Sequence, residues 1–210
     1  MKFLVRSFIL IFFIHGCRPA EVPPQMQADI DSIVYCFIPD KREAVCDLNL
    51  EMKDGKLFVR GETNILDVKT GIVKYFDQKN IEYLDSLKIL PDISEVSKPW
   101  GIIKVCVANM KQNASHSSEL VSQAVMGTPL KILRKEGGWI QVQTPDHYIG
   151  WMTGSSVSMK DEPEFTEWKQ SDRLIYTSVS GYIVSQEDRS DVISDAVAGV
   201  IVTKISATGN

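Results

Sequence analysis

Cysteine and histidine are scarce in this chain, with four and three in 210 residues. Beyond Cys17 there remain Cys36, Cys46 and Cys106, an odd set that excludes a fully paired disulfide framework. Cys46 and Cys106 sit in apolar alternations, where a thiol behaves as a small hydrophobe, and a Cys36–Cys46 disulfide is left open. Outside the N-terminal segment the histidines are His116 and His147, neither at helical spacing from a second ligand, so neither a metal centre nor any other cofactor is expected. A basic block is also missing. Counterion release from a phosphate backbone needs clustered Lys and Arg, and Lys131, Arg134 and Lys135 read as a solvated strand end, which argues against nucleic acid as a partner.

Long apolar runs are lacking as well. The notable one, Phe8 to Ile14, is too short to span a bilayer; it follows Lys2 and Arg6 and precedes Gly16-Cys17, the layout of a secretory signal in residues 1–16. Without that segment, which holds two of the 23 basic residues and none of the 27 acidic ones, the net charge falls from −4 to −6. Ile14, Gly16 and Cys17 resemble a lipobox, although His15 stands where a small or aliphatic residue is usual. The resemblance implies lipidation of Cys17, which would anchor the chain to the periplasmic side of a membrane, in expectation the outer one. An ordinary signal peptide cut nearby is the alternative.

After a Pro-rich tether over residues 17–27, a small α/β domain is expected over 28–91. Ile30, Ile33, Val34 and Phe37 give Ala28–Phe37 a helical stripe; Ala44 to Leu50 alternates as a strand; Lys53-Asp54-Gly55 makes a turn into Leu57-Phe58-Val59. Ile65, Val68, Ile72, Val73 and Phe76 then fall at helical spacing between Asn64, a candidate cap, and Asn80, and Leu84 to Leu90 is extended. The order is α-β-β-α-β. Together with the run Asp54 to Glu62 it resembles the BON-type fold of envelope proteins, a layout that by itself says little about function.

Residues 92–156 contain short β-rich runs parted by Gly127, Gly137-Gly138 and Pro145-Asp146, the pattern of a small antiparallel barrel. Asn109-Met110-Lys111 opens a long loop, Leu130, Ile132 and Leu133 follow Gly127, and Gly138-Trp139-x-x-Val142 precedes Tyr148-x-Gly150-Trp151. In order and spacing this resembles a bacterial SH3 (SH3b) domain. An acidic linker is expected over 157–172, centred on Asp161 to Trp168. A shift of 72 positions then sets Gly199 on Gly127, Ala196 on Ala124, Ser194 on Ser122 and Asp191 on Glu119, so 173–210 reads as a second, truncated SH3b copy. The fold class expected is α+β followed by mainly β: a small BON-like domain, an SH3 barrel and an incomplete second barrel.

The lipobox, the α/β segment, and the runs His116 to Leu133 and Gly137 to Trp151 together resemble the N-terminal half of NlpC-type cell-wall peptidases, γ-D-glutamyl-L-diamino-acid endopeptidases also called dipeptidyl-peptidase VI. The resemblance implies a non-catalytic part. The family's Asp-Cys-Ser-Gly run is missing, and Cys106 lies between Val105 and Val107 with no helix start to activate it, so no catalytic residue and no enzyme activity of this chain alone are expected. The family's first SH3b domain recognises the free amine of an N-terminal L-Ala on peptidoglycan stem peptides through an acidic residue and a tyrosine. Glu119 and Tyr148 are the matching positions, with a solvated loop carboxylate the plainer reading of Glu119. Trp139 and Trp151 are expected in the barrel core rather than on a sugar platform, and His116 and Ser117 are candidates to line a groove. Two further readings stay open: a structural envelope protein using both domains for protein contacts, and a hydrolase completed by a catalytic domain encoded downstream.

Overall fold

A proline at its first position and an apolar stripe set the first helix. In the computed structural model, which describes residues 21–205, α1 spans Pro24–Phe37. It starts a turn before the expected Ala28 because proline fits an N1 site, whose N–H has no helical partner anyway. The expected signal and Cys17 lie outside the described residues. Ile30 is fully buried and Ile33 and Val34 half-buried, while Phe37 is exposed, so the stripe is narrower than its spacing suggests.

β1 (Cys46–Lys53) and β2 (Lys56–Thr63) form a hairpin whose turn residues Asp54 and Gly55 both have positive φ, 51° and 74°, as a two-residue primed turn requires. α2 (Leu66–Lys79) ends at Asn80 in the left-handed region, as expected. Its start differs: Ile65 stands at the N-cap without a side-chain cap, because the Asn64 Oδ1 accepts instead from the Val45 N–H at 2.8 Å. β3 (Tyr83–Ile89) pairs parallel to β2, giving the sheet order β1-β2-β3. Both helices supply the same core, with Ile30, Val68, Ile72 and Phe76 packed on Leu57, Val59 and Leu87. At Gly71 a Cβ would stand 2.9 Å from the Ile33 side chain, so the glycine lets the helices approach.

Seven strands follow: β4 (Trp100–Ile103), β5 (Val107–Lys111), β6 (Leu120–Val125), β7 (Pro129–Glu136), β8 (Trp139–Gln143), β9 (Ile149–Thr153) and β10 (Val157–Lys160). They form one sheet in the order β10-β4-β7-β8-β9-β5-β6 and wrap a single core to which every strand contributes. The expected boundary at residue 156 is too early, since β10 pairs with β4 from Val157 opposite Ile103 onward. The stretch before β4 belongs to the barrel as well, because Val96 is buried in this core.

The acidic segment expected as a linker is a helix, α3 (Glu162–Gln170). Asp161 and Glu164 form a capping box, and Pro163 sits in the first turn, so the carboxylates satisfy orphan N–H groups and complement the helix dipole. Phe165 stacks on Trp100 at 4.4 Å and on Trp168 at 5.8 Å, and the Arg173 guanidinium lies 4.7 Å over Trp168.

Beyond α3, β11 (Arg173–Ile175) pairs with β14 (Ile201–Thr203) and β12 (Ser180–Val184) with β13 (Val192–Val197). The pairing repeats that of β4 to β7. β13 and β6 coincide end to end under the 72-residue shift, and each hairpin carries its bulge at the same step, Met110/Lys111 in one and Ile183/Val184 in the other. The Gly127 N–H donates to the Ile103 carbonyl and the Ile103 N–H to the Thr128 carbonyl around the first turn, as the Gly199 N–H donates to the Tyr176 carbonyl and the Tyr176 N–H to the Val200 carbonyl around the second. The two turns meet, the Ile201 N–H donating to the Met126 carbonyl at 3.0 Å.

The α/β unit and the barrel share a small core of Val45, Leu90, Leu133 and Ile149. A bulge between Ile132 and Arg134 makes Leu133 the extra residue of β7, so Leu133 and Arg134 both leave the barrel interior that Ile132 occupies. Leu133 is fully buried in this seam. Leu133→Ala should therefore cost about 2–5 kcal/mol, the range for a large-to-small change at a buried site. Denaturant unfolding measures it, and a loss under about 1 kcal/mol would mean that the seam closes over the cavity.

Candidate functional site

Strand register decides which side chains of the barrel face the α/β unit. Ile140 opposite Met152 and Val142 opposite Gly150 point into the core, so the alternate pairs Trp139–Thr153, Gln141–Trp151 and Gln143–Ile149 point outward. Trp139 and Trp151 are thus on the outer face, not in the barrel core. Trp151 is buried there and Trp139 half-buried, the latter with the His116 ring edge-on at 4.9 Å. Arg134, opposite Gln141, joins this face. Its expected role as a solvated strand end is also replaced: Nη2 pairs with Asp47 and Nη1 with Glu62, each at 2.9 Å, and Nε donates to the Gln141 Oε1 at 2.7 Å.

Between this face and the α/β unit lies a cleft of about 1030 Å³. Asp31, Val34 and Tyr35 of α1, the loop residues Lys41 and Arg42, and Cys46 and Asp47 of β1 form one wall; Glu119, Val121, Arg134, Gln141, Tyr148 and Ile149 form the other. Glu119 and Tyr148, far apart in sequence, are brought to the same cleft. His116 and Ser117 are not among its lining residues.

Each wall is held by local bonds. The loop opened by β5 is fastened to itself, the Lys111 ammonium donating to the Ser118 carbonyl at 3.0 Å and the Asn113 N–H to the Ser118 hydroxyl at 2.9 Å, while the Glu119 carbonyl accepts from the Gln112 N–H. The Glu119 carboxylate, on an exposed residue, has no hydrogen-bond partner among the described residues, nor has the Tyr148 hydroxyl. Tyr148 packs its ring on the barrel core, and its carbonyl accepts from the Thr144 N–H and hydroxyl. On the other wall, Arg42 donates to both Asp40 oxygens, its carbonyl accepts from the Ile149 N–H at 2.9 Å, and Gln143 donates to the Glu43 carbonyl at 2.9 Å. Residues 40–43 are in this way pinned to β8 and β9.

The thiol that lines the cleft is Cys46. Burial pushes it up from its ordinary value, outweighing a hydrogen bond with Thr63, so it is held as the thiol rather than the nucleophilic thiolate. Cys36, Cys46 and Cys106 are all free thiols, and the conceivable Cys36–Cys46 disulfide is not formed.

Residues 112–157 match the family of bacterial dipeptidyl-peptidase SH3 domains, and the seven-stranded unit contains an SH3 domain of that type. No curated protein matches the chain. Among solved structures, similarity extends to an NlpC/P60 endopeptidase from Photobacterium damselae subsp. piscicida (17% identity, TM-score 0.42, over 56% of this chain and 29% of that one). It extends also to an NlpC/P60 family protein from Bacillus cereus (16%, TM-score 0.41, 51% and 48%) and to NlpC2 of Trichomonas vaginalis (14%, TM-score 0.26, 53% and 40%). The chain spans less than half the length of each of these proteins.

Lys41, Tyr35 and Gln141 escape a reading of the sequence because the cleft lies between two units, and no linear motif joins a helix to a strand a hundred residues on. The nearest signal is the alternation Ile140-Gln141-Val142-Gln143, which marks the glutamines as outward. The clasp that positions the Lys41 loop has a testable acid limit. Its hydrogen bonds with Arg42 lower the Asp40 carboxyl to about 2, so its contribution is present above the ordinary value of 3.8 and lost as pH falls through about 2. A carboxyl-carbon NMR titration should find the Asp40 midpoint near 2 and, in Arg42→Gln, raised toward the ordinary range but short of it, because the backbone N–H of residue 42 still donates to the carboxylate. A wild-type midpoint already in that range would show that the clasp does not form.

Proposed function

We propose that this chain is a non-catalytic envelope module that holds the free N-terminal end of peptidoglycan stem peptides, as a part of a γ-D-glutamyl-L-diamino-acid endopeptidase does. One observation carries the reading: Glu119 and Tyr148, the two positions that the peptidase resemblance singles out, line a single cleft, with both polar ends free of partners among the described residues. A carboxylate and a phenolic oxygen accept from an ammonium group, and an N-terminal L-Ala supplies one. The match of residues 112–157 to the dipeptidyl-peptidase type of SH3 domain supports the same assignment. In this reading the chain performs no catalysis alone, a role with which the protonated Cys46 thiol agrees.

The paired strands of 173–203 are read as part of a second SH3 copy, on the repeated register, and the α-β-β-α-β unit as BON-like, on its element order. Exposed Leu174, Ile175, Val179 and Ile193 favour a second role for the repeat segment in contacts with other proteins of the envelope.

Calorimetric titration with L-Ala-γ-D-Glu-L-Lys tests the peptide reading. Glu119→Gln should weaken binding by about ten-fold, the loss of roughly one charge-assisted bond. The N-acetylated peptide should bind wild type no better than the variant. Equal binding of free and acetylated peptides by wild type would sink the amine site.

The proposed anchor at Cys17 is tested apart from the cleft. A metabolic fatty-acid probe should label the wild-type protein in its bacterial host and leave Cys17→Ala unlabelled; equal labelling of the two would place no lipid on Cys17.

A further inference from the structure

The charges of the cleft are matched in number but not in pairing. Three cations and three carboxylates line it: Lys41, Arg42 and Arg134 against Asp31, Asp47 and Glu119. Arg42 is taken up by Asp40 at 2.6 Å, and Arg134 by Asp47 and Glu62 at 2.9 Å. Asp31 accepts from the Gln27 amide at 2.8 Å. What stays without any side-chain partner among the described residues is one cation on the α/β wall, Lys41, and one carboxylate on the barrel wall, Glu119. Lys41 is not on a drifting loop, because residues 42 and 43 on its C-terminal side are bonded to β9 and β8.

We propose that Lys41 is the carboxylate-recognising residue of this cleft, so that its ligand is a short zwitterionic peptide bridging the two units, amine at Glu119 and carboxylate at Lys41. The inference rests on the amine site proposed above and adds the opposite end of the ligand. A lone Lys or Glu at a solvated edge attracts any counter-ion weakly. Two unpaired charges of opposite sign on facing walls select instead for a ligand that carries both, since a ligand with one charge blocked leaves the other wall's group unpaired. An all-cationic or all-anionic molecule meets one matched and one opposed group. The α/β unit thereby becomes half of the binding site rather than a spacer for the barrel.

The test uses the purified protein and three probes: L-Ala-γ-D-Glu-L-Lys, its N-acetyl form, and its form with both carboxyl groups amidated. Wild type should prefer the free peptide over each blocked form by about ten-fold, the scale of one charge-assisted contact. Lys41→Gln should bind the free and amidated peptides alike while still rejecting the acetylated one, and Glu119→Gln should show the converse. If Lys41→Gln still discriminates against the amidated peptide as wild type does, the carboxylate assignment is overturned and the amine site stands. If wild type binds the acetylated peptide as well as the free one, or binds none of the three, the amine site and this inference fall together. Unchanged far-UV circular dichroism of Lys41→Gln, an exposed loop residue, ties any loss to the missing ammonium group.

Discussion

The bulge in β7 is the constraint from which the arrangement of the two units follows. A strand that alternated without interruption would send Ile132 inward, Leu133 outward and Arg134 inward again, burying a guanidinium in a barrel core. The extra residue at Leu133 resets the phase, so that a leucine and an arginine leave the barrel on the same side. Leu133 fills the gap between Val45, Leu90 and Ile149, and Arg134 spends its donors on Asp47, Glu62 and Gln141. Apolar contact supplies the attraction between the units, and the planar guanidinium fixes their register, since each of its nitrogens donates to an acceptor in a set direction. The cleft is what remains open beside that seam.

Much of the fold was legible from local chemistry. The hairpin turn at Asp54-Gly55, the helix end at Asn80 and the barrel turns at Gly127 and Gly137 all follow from residues that tolerate positive φ, and each has it. The repeat was legible because a turn glycine and the alternation on either side of it recur together, and strand register follows from those two features. What was not legible lies where one signal has two physical meanings. Acidic residues from Asp161 to Glu167 suit a solvated linker and equally the first turn of a helix, and only the three-residue spacing of Asp161 and Glu164 separates the two. Trp139 and Trp151 looked like core because aromatics usually are, yet the parity set by Ile140 and Val142 puts them on the other face. For the candidate site, Glu119 and Tyr148 were named through the peptidase resemblance, and the opposing wall was not, because it is assembled from α1, β1 and the patternless loop between them.

Helix α3 gives the repeat a fixed place relative to the barrel. Its aromatic face continues the Trp100 ring through Phe165 to Trp168 and ends under Arg173, the first residue of β11, so the start of one paired segment is stacked onto the start of the other. The meeting of the two glycine turns adds a backbone hydrogen bond, and it demands glycine at residue 127: with φ at 83° and the Ile201 carbonyl only 2.2 Å from where a Cβ would stand, any larger residue would push the segments apart. Two separate contacts, one aromatic and one backbone, leave little freedom for the repeat to swing.

The energetics of the cleft favour selectivity over strength. Its free groups are exposed, and one charge-assisted contact there is worth on the order of 1.5 kcal/mol, about ten-fold in binding, so neither Glu119 nor Lys41 alone holds a peptide tightly. A site of this kind discriminates by what it leaves unpaired when the wrong ligand enters, and it works at the high local concentrations that tethering provides. The proposed attachment through Cys17 would supply that condition by holding the cleft at the membrane surface, near its proposed ligand. Under the proposed reading, weak contacts at both termini would also let a bound peptide leave quickly. The rigidity of the seam and the weakness of the site are therefore complementary: the walls must stand at a fixed spacing because the charges they carry are too weak to draw them together.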